Sequence, residues 1–252
     1  MLSDEQLLRY NRQILLHEFD VAGQERLQQS SVLVVGLGGL GCPAALYLAA
    51  AGVGRLVLAD GDDVELSNLQ RQIAHGQSDI GSNKAASAAA SIAALNPQVS
   101  VEVVPHRLEP AELPGLLVGV DLVLDATDNY PVRYALNRAC IAAAMPLVSA
   151  AAVRSEGQLA LFDPVRGGGC YRCLYPVEGS TTALSCSDSG VLAPVVGVLG
   201  SLQAMESLKV LSGFGEPLRG QLLLLDLRCM DIRRLALPAR ADCVDCGHLS
   251  RA

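Results

Sequence analysis

The sequence predicts an α/β protein with a Rossmann-like mixed sheet, parallel in its N-terminal half and extended by antiparallel C-terminal strands. Three observations predict this class. A glycine-rich turn separates an apolar strand from an apolar helix, strands and helices then alternate to about residue 152, and the last strands follow one another as hairpins. Half of the 252 residues are apolar and 18% are charged, which is enough to build a large core.

The first strand–helix–strand unit is "SVLVVGLGGLGCPAALYLAAAGVGRLVLAD". It predicts a strand at 31–36, a helix at about 41–51 and a second strand at 55–60, and such units are right-handed with parallel strands. The remaining elements are predicted in chain order: a helix at about 82–95, a strand in 98–106, a strand in 120–129, a helix at 133–144, a strand at 146–152, and strands at 157–163, 220–227 and 230–237.

We expect one domain over 1–252, with a helical arm in 1–30, a Rossmann-like half in 31–150 and a sheet extension in 151–252. The apolar stretch 190–213 is interrupted by polar and charged residues, so it predicts a buried helix and not a membrane span. The N-terminus has no apolar core of signal-peptide length, which favours a cytoplasmic protein. A net charge of −7, with no basic run among aromatics, argues against a nucleic-acid partner.

The glycine turn supplies Gly36, Gly38 and Gly41 in the spacing G-x-G-x-x-G, with Gly39 in addition. Such turns let a phosphate approach backbone N–H groups at a helix N-terminus. Asp60 ends the next strand, where a carboxylate accepts hydrogen bonds from a ribose diol. The pattern predicts a nucleotide site but does not separate NAD, FAD and ATP, and a purely structural turn is the alternative.

The polar residues that follow favour a triphosphate. Asn68, Arg71 and Gln72 lie in "SNLQRQ", Lys84 lies in "GSNKAA", and Asp128 follows a later strand in "LDATDN". Two cations suit the outer phosphates, and a spare carboxylate suits Mg²⁺. The structural alternatives are a surface ion pair for Arg71, an exposed position for Lys84 and a turn or cap role for Asp128.

Eight cysteines in a chain of this type are more typical of metal ligands or reactive thiols than of disulfides. Cys170 and Cys173 form one C-x₂-C pair, and Cys243 and Cys246 form another, which together make a candidate zinc site. The wide gap between the pairs leaves free thiols or a redox pair as alternatives.

Four further cysteines have separate interpretations. Cys42 opens a helix, where the helix dipole lowers a thiol pKa, although packing beneath the glycine turn is favoured. Cys140 and Cys229 are interpreted as core or sheet residues. Cys186 lies in a polar loop among small residues, and 165–190 is long enough to predict a functional or mobile loop.

Six blocks of the sequence strongly resemble the MoeB/ThiF family, the bacterial relatives of ubiquitin-activating enzymes. They are "RYNRQILL", "VLVVGLGGLGCPAALYLAAAGVG", "SNLQRQ", "DATDN", "CYRC" and "GSLQAMESLKVLSG", in family order. The resemblance implies ATP-dependent adenylylation of the C-terminal glycine carboxylate of a small ubiquitin-like sulfur carrier ending in Gly-Gly. One departure is visible: Ala126 replaces the cysteine of the family's "CTDN" motif.

The resemblance also implies roles for individual residues. Together with the glycine turn it gives these nucleotide-binding residues: Gly36, Gly38, Gly39, Gly41, Asp60, Asp62, Ser67, Asn68, Leu69, Gln70, Arg71, Lys84, Asp128 and Asn129. The expected catalytic set is Arg12, Asn68, Arg71, Gln72, Lys84, Asp128 and Cys186. Asp128 is expected to hold Mg²⁺, both C-x₂-C pairs to hold Zn²⁺, and Cys186 to resemble a thiol that bonds the activated carrier in some relatives.

Arg12 resembles an arginine that reaches the phosphates from a neighbouring subunit, so a homodimer is expected. The stretch 151–164 favours the molybdopterin branch of the family over the thiamine branch. Two alternatives of other classes are an NAD-dependent oxidoreductase and a scaffold with an inactive ATP site. The first leaves Arg71, Lys84 and Asp128 without a role, and the second does not explain why they are intact.

Overall fold

One mixed sheet organises the computed structural model, which describes residues 2–176 and 190–249. Its strands are β1 (Ser31–Val35), β2 (Arg55–Ala59), β3 (Ser100–Val104), β4 (Leu122–Asp125), β5 (Leu147–Val153), β6 (Glu156–Phe162), β7 (Gln221–Asp226) and β8 (Asp231–Ala236). Their order is β3-β2-β1-β4-β5-β6-β7-β8. Pairs from β3 to β5 are parallel and pairs from β5 to β8 are antiparallel, which confirms the predicted fold class.

Helices cover both faces of the parallel half. They are α1 (Asp4–Arg9), α2 (Asn11–Ile14), α3 (Asp20–Gln29), α4 (Gly41–Ala51), α5 (Lys84–Leu95), α6 (Leu113–Leu116), α7 (Tyr130–Ala142), α8 (Tyr171–Leu174) and α9 (Ala193–Ser212). Alternate β1 residues therefore enter two cores: Val32 and Val34 pack with α4, α5 and α9, while Leu33 and Val35 pack with α6 and α7. A strand covered on both faces is apolar throughout, as β1 is.

Helix α9 is long and apolar enough to cross a membrane by length and composition alone, but half of it is buried in the protein. It packs against α4 and β5. Buried Gln203 donates to the Asp125 carbonyl at 2.8 Å, and buried Glu206 accepts from the Leu218 N–H. The polar residues that interrupt the apolar stretch are thus bonded inside the fold, as predicted for a buried helix.

Several local predictions need correction. Helix α7 begins three residues earlier than expected, because Asn129 caps it and a proline occupies its first turn. Helix α8 lies inside the stretch predicted to be a loop. Cys229 is exposed in the turn between β7 and β8, so its interpretation as a core or sheet residue was wrong. Cys186 lies outside the described residues.

The sheet order places a topological switch point between β1 and β4. From β1 the chain adds β2 and β3 on one side and then returns to add β4 and β5 on the other. Connections leave in opposite directions there, which opens a crevice at the carboxyl ends of the two strands. The glycine turn follows β1, and "ATDN" follows β4, so both motifs border this crevice.

Candidate active site at the switch point

The crevice is a cleft of about 860 Å³. This volume lies within the range of small-molecule sites, roughly 300–1,000 Å³. The following predicted residues line it: Gly36, Gly38, Gly39, Asp60, Asp62, Asn68, Arg71, Gln72, Lys84, Asp128 and Asn129. Five other predicted residues do not: Arg12, Gly41, Ser67, Leu69 and Gln70. The structure thus brings together most of a set that spans nearly a hundred residues of sequence.

The glycines have different tasks in the turn. Gly36 has a φ of +90°, and an added Cβ would lie 2.9 Å from the Ala126 carbonyl oxygen. A Cβ on Gly41 would lie 1.8 Å from the Gly36 carbonyl oxygen. Gly41 therefore packs against the backbone of the turn and does not face the cleft. A Cβ on Gly38 would meet only the Gln72 amide at 3.7 Å, so Gly38 keeps space open at the ligand side.

The Asp60 carboxylate is fixed against the glycine turn. Its Oδ2 accepts from the Leu37 N–H at 2.7 Å, and its Oδ1 accepts from the Asp62 N–H at 2.9 Å. Burial raises the pKa of Asp60, and the two backbone hydrogen bonds oppose this effect. Each oxygen keeps a second lone pair for a ribose hydroxyl.

Asp62 joins two cations at the mouth of the cleft. Its Oδ2 lies 3.2 Å from Lys84 Nζ, and its Oδ1 lies 3.0 Å from Arg107 Nη2. Partial burial disfavours the Asp62 carboxylate, but hydrogen bonds from Arg107 and Lys84 outweigh that effect and lower its pKa. Lys84 is buried, which contradicts the alternative of an exposed helix-opening residue. The sequence analysis missed Arg107, although it follows β3 at the edge where ligands bind.

The segment after β2 presents an amide and a cation. Arg71 Nη1 donates to the Ser67 carbonyl at 3.1 Å, so the guanidinium is held by its own turn. Gln72 is buried, and its Oε1 has no hydrogen-bond partner among the described residues. Gln72 is one of the residues that line the cleft, so its amide is placed to meet a polar group of a ligand.

A buried ion pair between Asp125 and Arg133 holds the loop after β4 in place. Asp125 Oδ1 accepts from the Thr127 N–H at 3.0 Å, and Asp125 Oδ2 lies 3.7 Å from Arg133 Nε. Arg133 also donates to the Thr127 carbonyl. Asp128 itself is exposed at the cleft, and the cap of α7 is Asn129. The interpretation of Asp128 as the cap residue is therefore wrong, and the sequence analysis missed the Asp125–Arg133 pair.

The small side chain of Ala126 suits its surroundings. Its Cβ would lie 3.4 Å from a Cβ at Gly41, in the crowded space between the glycine turn and the β4 loop. Asp128 and Asn129 keep their places on this loop, so the departure from the family motif leaves the loop's polar residues unchanged.

The four cysteines of the two C-x₂-C pairs converge. Their sulfur atoms all lie within 4.8 Å of one another, including Cys170–Cys243 at 3.6 Å and Cys173–Cys246 at 3.4 Å. Four thiolates about 2.3 Å from one ion have this spacing, so the cluster could hold Zn²⁺. Burial raises the pKa of Cys170 to about 12, so a cation is needed to stabilise its thiolate.

Two further cysteines are buried away from solvent. Cys42 is fully buried under the glycine turn, and burial raises its pKa to about 12, which excludes the activated thiol alternative. Cys140 is buried on α7, as predicted.

Comparison with known proteins agrees with this geometry. The ThiF family model matches residues 10–246. Molybdopterin-synthase adenylyltransferase of Escherichia coli (strain K12) is 50% identical, with 98% of this chain and 99% of that protein covered. Adenylyltransferase and sulfurtransferase MOCS3-1 of Zea mays is 48% identical, and the chain covers 53% of its length.

Solved structures share the fold. A crystal structure of E. coli MccB with MccA-N7isoASN matches with a TM-score of 0.84 and 25% identity, covering 98% of this chain and 75% of that one. The structure of PaaA matches with a TM-score of 0.79 and 28% identity, covering 94% and 75%. The similarity thus extends over nearly the whole chain, well beyond the first strand–helix–strand unit that an oxidoreductase would share, and we conclude that the chain belongs to the ThiF family.

Proposed function

We propose that this protein is an adenylyltransferase that uses ATP to activate the C-terminal carboxylate of a small sulfur-carrier protein as an acyl-adenylate. The proposed carrier is the small subunit of molybdopterin synthase, because a relative of nearly equal length, half of whose residues are identical, is named molybdopterin-synthase adenylyltransferase. The observation that carries the proposal is the convergence of Arg71, Lys84 and Asp128 with an open glycine turn at one switch point.

Each part of the cleft has a place in this reaction. Asp60 accepts hydrogen bonds from the ribose, and Gly38 leaves room for a phosphate beside the N-terminus of α4. Lys84 and Arg71 neutralise charge on the phosphates, and the Gln72 amide, whose Oε1 is unpaired, pairs with a polar group of the bound nucleotide. Nucleotide contacts at Asn68 and Asn129, which also line the cleft, are proposed on the same basis.

The first step needs no nucleophile from the protein. An oxygen of the carrier carboxylate attacks the α-phosphorus, the bond to the bridging oxygen breaks, and pyrophosphate leaves with both electrons of that bond. The enzyme positions the two reactants in line and neutralises the charge of the leaving group. Apolar and small residues of β5, including Ala151 and Val153, line the same cleft and are suited to an extended peptide tail.

Two metal ions are part of the proposal. Asp128 is an exposed carboxylate at the cleft, which suits a Mg²⁺ ion shared with phosphate oxygens; Mg²⁺ screens phosphate charge when bound. The four-cysteine cluster is proposed to hold a structural Zn²⁺ that ties the C-terminal segment to α8.

A homodimer and a cytoplasmic location complete the proposal. Arg12 is exposed on α2 and does not line the cleft of its own chain. A role for Arg12 at the phosphates therefore requires that a second subunit supply it. A catalytic bond to Cys186, and a tail-covering role for 175–190, are predictions that concern mostly residues outside the described ranges.

Intact-mass measurement of the carriers tests the function. Purified protein with ATP and Mg²⁺ is mixed separately with the molybdopterin and thiamine carriers, and we expect an adenylate only on the first. An adenylate only on the thiamine carrier would move the protein to the other branch. No adenylate on either, together with tight binding of a nicotinamide dinucleotide, would overturn the proposal.

Two variants connect this activity to the cleft. Asp128→Ala and Arg71→Ala should each reduce carrier-dependent ATP–pyrophosphate exchange by at least about a hundredfold, because each removes a charge that stabilises the transition state. Glu216→Gln, which removes an exposed carboxylate outside the cleft, is the matched control and should exchange normally. Normal exchange in both cleft variants would contradict the assignment.

A further inference from the structure

A buried histidine lies directly behind the glycine turn. His75 is 8% exposed, and its ring lies between the turn and helix α5. Its Nε2 is 3.0 Å from the Leu37 carbonyl oxygen, and its Nδ1 is 2.8 Å from Ser87 Oγ. No metal-ligand or catalytic-triad spacing surrounds this histidine in the sequence, and the proposed reaction does not use it.

These distances favour one tautomer. Nε2 lies 3.0 Å from the Leu37 carbonyl oxygen, which can only accept, and 3.5 Å from Cys42 Sγ, so the shorter contact assigns the proton to Nε2. The neutral ring then accepts at Nδ1 from the Ser87 hydroxyl. Burial lowers the pKa of His75, which agrees with a neutral ring. Cys42 Sγ lies 3.1 Å from the same Leu37 oxygen and donates to it as well.

Both backbone polar groups of Leu37 are therefore hydrogen-bonded. Its N–H donates to the Asp60 carboxylate at 2.7 Å, and its carbonyl accepts from His75 and Cys42. Leu37 stands between Gly36 and Gly38, at the point where the turn must present its N–H groups. The His75 and Cys42 contacts hold the Leu37–Gly38 peptide, whose rotation would turn the Gly38 N–H, and the Asp60 contact holds the preceding Gly36–Leu37 peptide.

His75 also belongs to the segment that carries Arg71, the arginine proposed to neutralise phosphate charge. Its backbone N–H donates to the Gln72 carbonyl at 3.1 Å, in the turn that bears Arg71. Its partner Ser87 lies one helical turn after Lys84 on α5. One imidazole thus joins three elements that are far apart in the sequence: the glycine turn, the Arg71 segment and the Lys84 helix.

We propose that His75 is a positioning residue for the nucleotide site. It holds the Leu37 carbonyl, and with it the glycine turn, at a fixed place relative to the Arg71 segment and the Lys84 helix. The inference rests on the proposed function, since it assumes that the cleft binds a nucleoside triphosphate. Its consequence is specific: loss of the bond to Leu37 should weaken binding of ATP and leave binding of the carrier unchanged.

Two substitutions separate the two bonds of the ring. The amide nitrogen of His75→Gln extends to the position of Nε2 and keeps the bond to Leu37, whereas that of His75→Asn stops near Nδ1 and loses it. We expect His75→Asn to raise the KM for ATP about tenfold, the effect of one buried hydrogen bond, and His75→Gln to stay within about twofold of the wild type. The KM for the carrier should be unchanged in both.

A control distinguishes positioning from general stability. Ser91 Oγ on α5 donates to the Ala74 carbonyl at 2.5 Å, so Ser91→Ala removes a bond between the same helix and the same segment without touching Leu37. It should lower the Tm and leave the KM for ATP unchanged. If His75→Asn does not fold, His75→Phe keeps a ring in the space without the donor and should show the same rise in KM.

The outcomes separate the inference from the function on which it rests. An inactive wild-type protein would overturn the proposed function. An active wild type with equal KM values for ATP in His75→Asn and His75→Gln would overturn only the positioning role. A KM that rises equally in Ser91→Ala would also overturn it, because the effect would then follow stability and not the Leu37 bond.

Discussion

Asp62 holds together two cations that would otherwise repel each other at the mouth of the cleft. Lys84 is buried on one side of it, and Arg107 is exposed on the other. In the proposed reaction Lys84 neutralises phosphate charge, so this carboxylate keeps the lysine in place while the cleft is open.

The Asp62 ion pairs predict a pH-dependent contribution to stability. Because its pKa is lowered in the folded protein, the contribution is present above the ordinary aspartate pKa, about 3.9, and is lost as the pH falls through the folded value. Asp62→Asn should therefore unfold at lower urea concentration than the wild type at pH 7, and the difference should shrink below about pH 4. A difference that does not shrink as the pH falls below about 4 would contradict this origin, and Glu216→Gln should show none.

The glycine turn shows how one local element combines a structural and a functional constraint. Gly41 packs against backbone within the protein, whereas Gly38 faces the cleft. Both occur in the same motif, and the sequence alone assigns both to phosphate binding. The structure divides the roles, since only one of the two positions has space beside it.

Alanine substitutions should separate these roles. Gly41→Ala places a methyl group into the Gly36 carbonyl and should cost about 3 kcal/mol or more in the free energy of unfolding. Gly38→Ala has space in the folded protein but fills the path of a phosphate, so it should keep nearly wild-type stability and raise the KM for ATP at least about tenfold. Urea unfolding and steady-state kinetics on both variants check this; a stable, fully active Gly41→Ala would contradict it.

The four-cysteine cluster joins α8 to the C-terminal segment. Asn137 Nδ2 and the Arg240 N–H lie 3.7 and 3.4 Å from Cys170 and Cys173 sulfurs, in positions to donate to thiolates. Such outer contacts orient metal ligands. The C-terminal segment after β8 has little secondary structure of its own, so the cluster is one of the contacts that hold it.

Metal removal should therefore destabilise the protein. We expect about one zinc per chain by elemental analysis, and a fall in Tm of about 10 °C after a strong chelator removes it, since a structural site contributes several kcal/mol. Cys170→Ser should lose the metal, and Cys229→Ser, which changes an exposed cysteine outside the cluster, should keep it. An unchanged Tm in metal-free protein would argue against a structural role.

For the whole molecule, the proposed dimer decides whether one chain holds a complete site. Arg12 lies in the helical arm, near exposed apolar side chains such as Leu8, Leu15 and Leu16. An arm of this kind is suited to pack on a second copy, with its arginine reaching into the neighbouring cleft. Both the dimer and this role of Arg12 are proposals.

Mixed dimers test this arrangement. Arg12→Ala and Asp128→Ala should each be inactive alone, but subunit exchange between them should restore about a quarter of wild-type activity. Half of the dimers would then be mixed, and each would contain one intact site made from both subunits. Restoration should be absent when two samples of the same variant are mixed. A fully active protein that sediments as a monomer would contradict a role in trans.

Local patterns were sufficient for much of the fold and for part of the site. Each predicted strand and the long helix α9 exist, because buried strands are short apolar runs and the glycine turn is a local conformational requirement. Asp60, Arg71, Lys84 and Asp128 were found from motif spacing and family resemblance. Arg107, Arg133 and His75 were missed because their partners lie elsewhere in the chain and no local pattern marks them.

The amino-acid sequence by itself determined the strands, the longer helices, the turn chemistry and the family, since these depend on residues close together along the chain. Only the tertiary structure decided the sheet order, the union of two cysteine pairs about seventy residues apart, and the hold of Asp62 on Lys84 and Arg107. The physical reason is that side-chain contacts depend on which strand ends share an edge of the sheet. That arrangement is settled by the packing of the whole core.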